Sequence, residues 1–467
     1  MPGLSRRSFL AGSTAALAAP ALRASAQAAD VDVAIIGAGA AGIAAARRAI
    51  AAKARVAVFE ASARVGGRCV TDTATFGVPF DLGAHWVHYP DNNPLLAQVS
   101  GVDVYAAPRG QTIRVGPRNA RDAELESFLT ALLRAHHAID EVAHGKADMS
   151  VAQALPADLG AWQSTISFAL GPFFCGQDIG SISVQDLGRA ADRERSAYCR
   201  QGYGTLLAKL AAGLPVRLST PVTRIDWYRD RVEIASARGR IIARTAIVTA
   251  STNVLAADKI EFEPDLPRAT LEAAHSLALG SYDHIGLLMP RNPFDLQRDD
   301  LVFEQSSGPR TAALLARVSG TDLHMVEVAG GFGRELAAKG EPAMLDFARD
   351  WLGGLFGTSV KSLITRARAT RWNDEPYVLG AMSAAAPGGA NARDALAEPV
   401  GGRLWLAGEA VHATKWGTVV GAWESGERAA EAALQRMGLV KEPGEERRQR
   451  REEHERPRHR RRRREDD

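Results

Sequence analysis

The chain runs to 467 residues, 46% hydrophobic and 24% charged; this is globular composition over more length than one small core needs, so two interleaved domains are expected. Collagen, a disordered scaffold and a bare peptide module are excluded. The formal charge of +3 comes from 57 basic and 54 acidic residues, but residues 1–29 hold three Arg and no acid, residues 441–467 hold 12 basic and 9 acidic residues, and the body between, with 42 against 45, gives no electrostatic case for a nucleic-acid partner.

The first element is Ser5-Arg6-Arg7-Ser8-Phe9-Leu10, then an apolar stretch from Ala11 to Leu22, then Ala24-Ser25-Ala26, a small-x-small cleavage site. The paired arginines make residues 1–26 resemble a twin-arginine export signal. That resemblance implies the twin-arginine export machinery as a partner and the periplasm as destination, reached already folded and loaded with cofactor. The apolar run is short of the roughly 20 residues that span a bilayer, so no stable membrane anchor is expected.

Val31 to Ile36 is a β-branched run that ends in Gly37-Ala38-Gly39-Ala40-Ala41-Gly42 and passes into a helix-forming stretch, Ile43 to Ala52. In this strand, G-x-G-x-x-G, helix pattern, Gly37 permits the turn, Gly39 lets backbone approach a pyrophosphate beside Ala41, and Gly42 lets helix pack on strand. The helix N-terminus offers unpaired N–H groups to phosphate. A second strand, Arg55 to Phe59, delivers Glu60, where a carboxylate can accept both ribose hydroxyls. These features alone leave NAD and FAD both open.

Glu60-Ala61-Ser62-Ala63-Arg64-Val65-Gly66-Gly67-Arg68 resembles the E-x-x-x-x-x-G-G-R segment of the flavin amine oxidase family. The resemblance implies FAD, with Gly66 and Gly67 passing close to it and Arg68 reaching it. It continues in chain order: Gly83-Ala84-His85-Trp86 is similar to the G-A-x-W segment at the flavin edge, and Gly202 to Leu206 to the return into the FAD domain. Thr220 to Ile225 resembles the strand whose valine, Val222, holds the adenine by its backbone, and Ala246 to Ala250 the strand after it. Thr370-Arg371-Trp372 resembles a segment that brings a tryptophan beside the flavin. Gly408-Glu409 closes an apolar strand with an acid for the ribityl chain, and Thr418 and Val419 open a helix facing the pyrimidine side of the ring, where reduction places negative charge.

The implied architecture is α/β. A Rossmann-like FAD-binding domain is assembled from residues 30–90, 201–275 and 381–440, and an α+β substrate domain is interleaved as 91–200, mainly helical, and 276–380. Residues 441–467, nearly all charged beyond Glu445, read as a disordered tail.

Three positions depart from the family. Its usual lysine, which holds a water near flavin N5, is replaced by His284 after Gly280-Ser281-Tyr282-Asp283; His284 either holds that water or simply packs after a strand. The two positions for an aromatic wall are Lys415 and Thr418, with Trp416 beside them as a substitute or as core. None of Cys69, Cys175 and Cys199 lies in the C-terminal segment that carries covalent flavin in some members, so FAD is expected to be non-covalent; three scattered cysteines also make neither a disulfide framework nor a zinc site. Catalytic roles are therefore assigned to His284, Trp372 and Trp416, and no metal is expected.

In the substrate region, Asp122 to Gly145 reads as one helix with Asp122 as N-cap and Leu125, Phe128, Leu129, Leu132 and Leu133 on its apolar stripe. Phe168, Phe173 and Phe174 read as core or as a pocket wall. His136 and His137 point to different helix faces and make no metal site. The expected activity is oxidation of a primary or secondary amine by hydride transfer to flavin N5, imine hydrolysis and reoxidation by O2 with release of H2O2. The alternatives are an L-amino-acid oxidase, whose usual carboxylate-binding arginine is replaced here by Trp86, a carotenoid- or porphyrinogen-type desaturase, and a redox-silent FAD-binding scaffold.

Overall fold

The computed structural model describes residues 29–108, 111–193 and 195–441. Residues 1–26, read above as an export signal, and the charged stretch beyond Lys441 lie outside the described residues. Val31–Ile36 (β1) and Val56–Phe59 (β2) pair in parallel, with Val33 against Val56 and Ile36 against Phe59. Gly239–Val248 (β3) lies on the other side of β1, also parallel, with Val248 beside Ile36. The last residues of β3 pair in parallel with Leu404–Leu406, where Leu406 matches Val248. Four strand ends therefore stand level, and the first residues past them are Gly37, Glu60, Thr249 and Ala407. In an open α/β sheet the crevice beyond such carboxyl ends is where ligands bind.

The start of β3 pairs antiparallel with Val232–Ser236, and the sheet runs on through Val222–Trp227 to Glu261–Glu263, while Val216–Arg217 closes the other edge beyond β2. Its eight strands thus come from three separated stretches of chain. The helix Ala40–Ala51 (α1) is alanine-rich and buried nearly all round, because the sheet covers one side and the helix Val419–Arg436 (α2) another. Small residues permit that approach: a Cβ added at Gly426 of α2 would stand 2.0 Å from the Ala41 carbonyl oxygen.

A second, seven-stranded sheet builds the other half. Tyr282–Leu288 (β4) and Leu323–Ala329 (β5) are antiparallel neighbours within it, with His284 opposite Glu327. Strand residues alternate between faces. Ile285, Leu287, Val326 and Val328 face a helical layer containing Met344, Phe347 and Leu352, whereas Leu323 and Met325 face Phe76, Phe80 and Tyr198. His284 and Glu327 belong to this second face, the one turned toward the first sheet's loops.

The helix in the substrate half spans Asp122–Ala143, and three expectations for it are corrected. Its N-cap is Arg121 rather than Asp122, because Glu124 reaches back to accept from the Arg121 N–H at 2.8 Å. It ends short of Gly145. The buried face is Phe128, Ala131, Ala135 and Ile139, whereas Leu125, Leu129 and Leu133 are 38%, 47% and 70% exposed. Leucines at four-residue spacing mark a stripe, but the chain packs the adjacent stripe inward, where Phe128 meets Trp162.

Candidate functional site

The turn after β1 requires glycine at its first position. Gly37 has φ +104°, and a Cβ there would stand 2.3 Å from the Thr249 hydroxyl. At Gly42 a Cβ would meet the Gly37 carbonyl oxygen at 1.9 Å. Gly39, by contrast, faces only the Cα of Gly67 at 3.8 Å, and around Gly408 there is nothing within 4 Å. Gly39 and Gly66 are joined as a β-bridge, and the Gly66 N–H donates to the Ala38 carbonyl at 2.8 Å, so the two glycine turns form one open cradle.

Glu60 stands at its rim. One carboxylate oxygen accepts from the Ala38 N–H at 2.7 Å, the other from the Ser62 N–H at 2.9 Å and the Ser62 hydroxyl at 2.7 Å. Ser62 thereby orients the acid. The Thr220 N–H donates to the Glu60 carbonyl at 2.8 Å, which brings the strand beginning at Val222 to the same edge. At the opposite rim, Arg68 donates to Glu409 at 2.9 Å and to the Ala381 carbonyl. Glu409 also accepts from the Ser383 hydroxyl at 2.7 Å and the Gly417 N–H at 2.8 Å. Burial alone would raise its pKa, but Arg68, Arg393 and Ser383 together hold it below the ordinary carboxylate value. Thr418 caps α2, accepting from the Gly421 N–H at 2.9 Å, and Val419 is the first helical residue.

A second constellation lies where the G-A-x-W segment meets β4 and β5. Gly83 is pressed beneath it: a Cβ there would stand 2.1 Å from the Arg68 carbonyl, to which the Ala84 N–H donates at 3.0 Å. Trp372 donates its indole N–H to the Leu82 carbonyl at 2.7 Å and its backbone N–H to Asp283 at 2.8 Å. His284 lies inside β4, not after a strand, and is buried; its Nδ1–H donates to the Asp81 carbonyl at 2.8 Å, leaving the lone pair on Nε2. Burial, then the neighbouring His85, push the pKa of His284 down to about 4. The rings of His85 and His284 are 5.0 Å apart. Glu327 is fully buried, and its Oε2 accepts from the Tyr282 hydroxyl at 2.6 Å. Burial would raise the pKa of Glu327, yet His85, His284 and Tyr282 hold it below the ordinary value. Trp86 packs on Tyr198, with centroids 4.9 Å apart.

Trp416 packs behind the cradle, next to the Gly417 whose N–H donates to Glu409. It is fully buried, edge-on to Phe174 at 5.8 Å and under the guanidinium of Arg393 at 4.5 Å. Lys415 pairs with Glu424 at 2.6 Å and Thr418 serves as a cap, so neither supplies an aromatic face. All three cysteines are buried free thiols. His136 and His137 are both exposed on the helix surface. Sequence reasoning missed Glu327, although a lone acid inside the apolar run Leu323 to Ala329 was a visible signal. It also missed the buried Arg393–Asp186 pair, 2.7 Å apart, which braces Ser383 and the Ala410 carbonyl behind Glu409. No local pattern announces that pair.

The fold and the glycine cradle define a dinucleotide-binding protein of two interleaved sheets. The family model of flavin containing amine oxidoreductases matches residues 40–434, and the chain belongs to that family. It is 27% identical to polyamine oxidase 4 of Oryza sativa over 461 residues, covering 88% of this chain and 90% of the relative. It is 28% identical to human lysine-specific histone demethylase 2 over 410 residues, 80% of this chain, but spans only 50% of that protein's length. Among solved structures, cyclohexylamine oxidase from Brevibacterium oxydans superposes with a TM-score of 0.75 at 22% identity, covering 88% of this chain and all of the other. A putrescine oxidase variant gives 0.74 at 18% identity, covering 86% and 99%. At these identities the likeness establishes a shared fold.

Proposed function

We propose that the protein is an FAD-dependent oxidase of a primary or secondary amine, with O2 as electron acceptor. The observation that carries this reading is the convergence of Gly37, Glu60, Arg68 and Glu409 on one open, glycine-lined cradle. The residues fit the cofactor. Glu60 is oriented to accept ribose hydroxyls, Gly39 and Gly67 leave room for a pyrophosphate, and the N-terminus of α1 presents N–H groups to it. Bound FAD supplies a two-electron acceptor that takes hydride from the carbon next to nitrogen and passes the electrons to O2 as H2O2. Phe80 packs against His284, and Trp86 and Tyr198 against its neighbour His85, so that both imidazoles lie out of water. Such desolvation lowers an amine's pKa and favours the neutral form that donates hydride. The imine product hydrolyses to an aldehyde or ketone. The absence of cysteine from the C-terminal segment supports non-covalent FAD.

Anaerobic mixing with a panel of amines, amino acids and polyenes tests the reading. Bleaching by amines supports it, and a flavin that no amine bleaches defeats it. We also read residues 1–26 as a twin-arginine signal and the mature protein as periplasmic. Replacing Arg6 and Arg7 by lysine is expected to retain the protein in the cytoplasm, and unchanged export refutes the signal.

A further inference from the structure

Asp283 is a carboxylate that the chemistry above leaves unused. It is fully buried in β4, and strand alternation puts it on the face of Ile285 and Leu287, opposite to that of His284 and Glu327. Its Oδ1 accepts twice, from the Trp372 N–H at 2.8 Å and from the Thr370 hydroxyl at 3.0 Å, while Oδ2 has no partner among the described residues. Thr370 in turn accepts from the His284 N–H at 2.9 Å. The charged groups on the surrounding elements are engaged elsewhere. Arg371 pairs with Asp374 at 2.9 Å, Arg334 donates to the Leu279 carbonyl at 3.2 Å, and Arg366 and Arg368 reach the turn at Asp72 and Thr75. Glu341, on the helix behind, accepts from the Ala369 N–H at 2.9 Å.

What Asp283 holds bears on the cradle. Its bond is to the first residue of the short helix Trp372–Asp374, and from there the Trp372 indole crosses to the Leu82 carbonyl at 2.7 Å. A Cβ on Gly83 would stand 2.9 Å from that indole and 2.1 Å from the Arg68 carbonyl oxygen, so Trp372, Gly83 and Arg68 are packed in series without slack.

We propose that Asp283 is a positioning residue: by holding the Trp372 N–H it sets the indole against the Leu82–Gly83 turn and so fixes the Arg68 rim of the cradle. The inference rests on the FAD reading above and gives a role to a residue that acts through Trp372. Burial pushes the Asp283 pKa up to about 6, against the pull of the Trp372 N–H and the Thr370 hydroxyl. A charge-assisted hydrogen bond is about twice as strong as a neutral one, so protonation slackens the hold on Trp372. The placement of the indole therefore follows pH. His284, neutral down to about 4, does not titrate in the same window.

The test takes the FAD-loaded protein, without substrate, from about pH 7.5 to about pH 5. Circular dichroism is read in the flavin band and, in the near ultraviolet, on the tryptophans. The wild type is expected to show one single-proton transition in both, centred on about pH 6. Asp283→Asn keeps a carbonyl acceptor and cannot titrate, so it should retain FAD but lose the transition. Asp283→Ala leaves the Trp372 N–H without its acceptor and should weaken FAD binding about fivefold or more. A wild type with no transition overturns the proposal before any variant is made, and a transition that survives in Asp283→Asn belongs to another group and overturns it too. Trp372→Phe should also abolish the flavin-band transition; if it persists there, the carboxylate acts on the flavin directly and the positioning role fails. If no amine bleaches a flavin that shows the transition, the oxidase reading fails and the positioning role stands. If the protein takes up no FAD, the cofactor reading fails; a near-ultraviolet transition that Asp283→Asn removes still upholds the hold on Trp372, and its absence overturns it.

Discussion

Arg68 and Glu409 lie 341 residues apart in the chain and meet at 2.9 Å, with Glu409 buried. This contact ties the turn after the first βαβ unit to the loop after Leu404–Leu406, and so sets the width of the cradle. Removing one partner of a buried ion pair leaves the other uncompensated, at about 3–5 kcal/mol. Glu409→Gln is therefore expected to lower the unfolding midpoint and the flavin content together; a variant that loses neither would show the pair to be incidental.

The same carboxylate carries a pH signature. Its folded pKa lies below the ordinary 4.5, so its contribution is present above that value and is lost as pH falls through the folded pKa. His284 acts in the same direction over a higher window. It remains neutral in the folded protein down to about pH 4, against an ordinary 6.5, so the unfolded chain binds the proton first. Stability should decline by about 3 kcal/mol between pH 6.5 and 4 on this account. Denaturant midpoints of wild type and His284→Gln across that range provide the check: the variant's slope should be shallower.

Gly37→Ala sets a Cβ into the Thr249 hydroxyl at a φ of +104°. Strain and overpacking of this kind amount to about 1–3 kcal/mol each. A lowered melting temperature and weakened FAD retention are expected, and a thermal scan with released flavin measured by fluorescence decides it.

The buried Arg393–Asp186 pair supports Glu409 from behind through Ser383. Arg393→Met should destabilise by about 3–5 kcal/mol in urea unfolding, and the simultaneous Asp186→Leu should recover part of the loss, because it removes the stranded charge. No recovery would place the effect in the Ala410 carbonyl contact instead.

Phe128 and Leu133 sit five residues apart on one helix and differ in burial, at 1% and 70% exposed. Phe128→Ala should cost about 3–5 kcal/mol, whereas Leu133→Ser should stay within about 0.5 kcal/mol. Unfolding midpoints of the two variants measure the difference.

Much of the cofactor side was legible in the chain because its requirements are local. A turn that needs φ +104° at Gly37, a helix starting three residues later, and an acid at the end of the next strand are written in contiguous residues. The substrate side was not, since its chemistry depends on register. His284 meets Glu327 only because β4 and β5 pair with those residues opposite, and a shift of one residue would turn one of them to the other face. The same holds for the leucines of the Asp122–Ala143 helix, whose pattern fits either core or surface until packing chose between them. What the sequence determined by itself is the backbone geometry of the FAD cradle and membership of the family's motif order. Only the tertiary structure decided which polar groups are buried together, because bringing a carboxylate and two imidazoles from three segments close to one another is settled by long-range packing and not by any spacing along the chain.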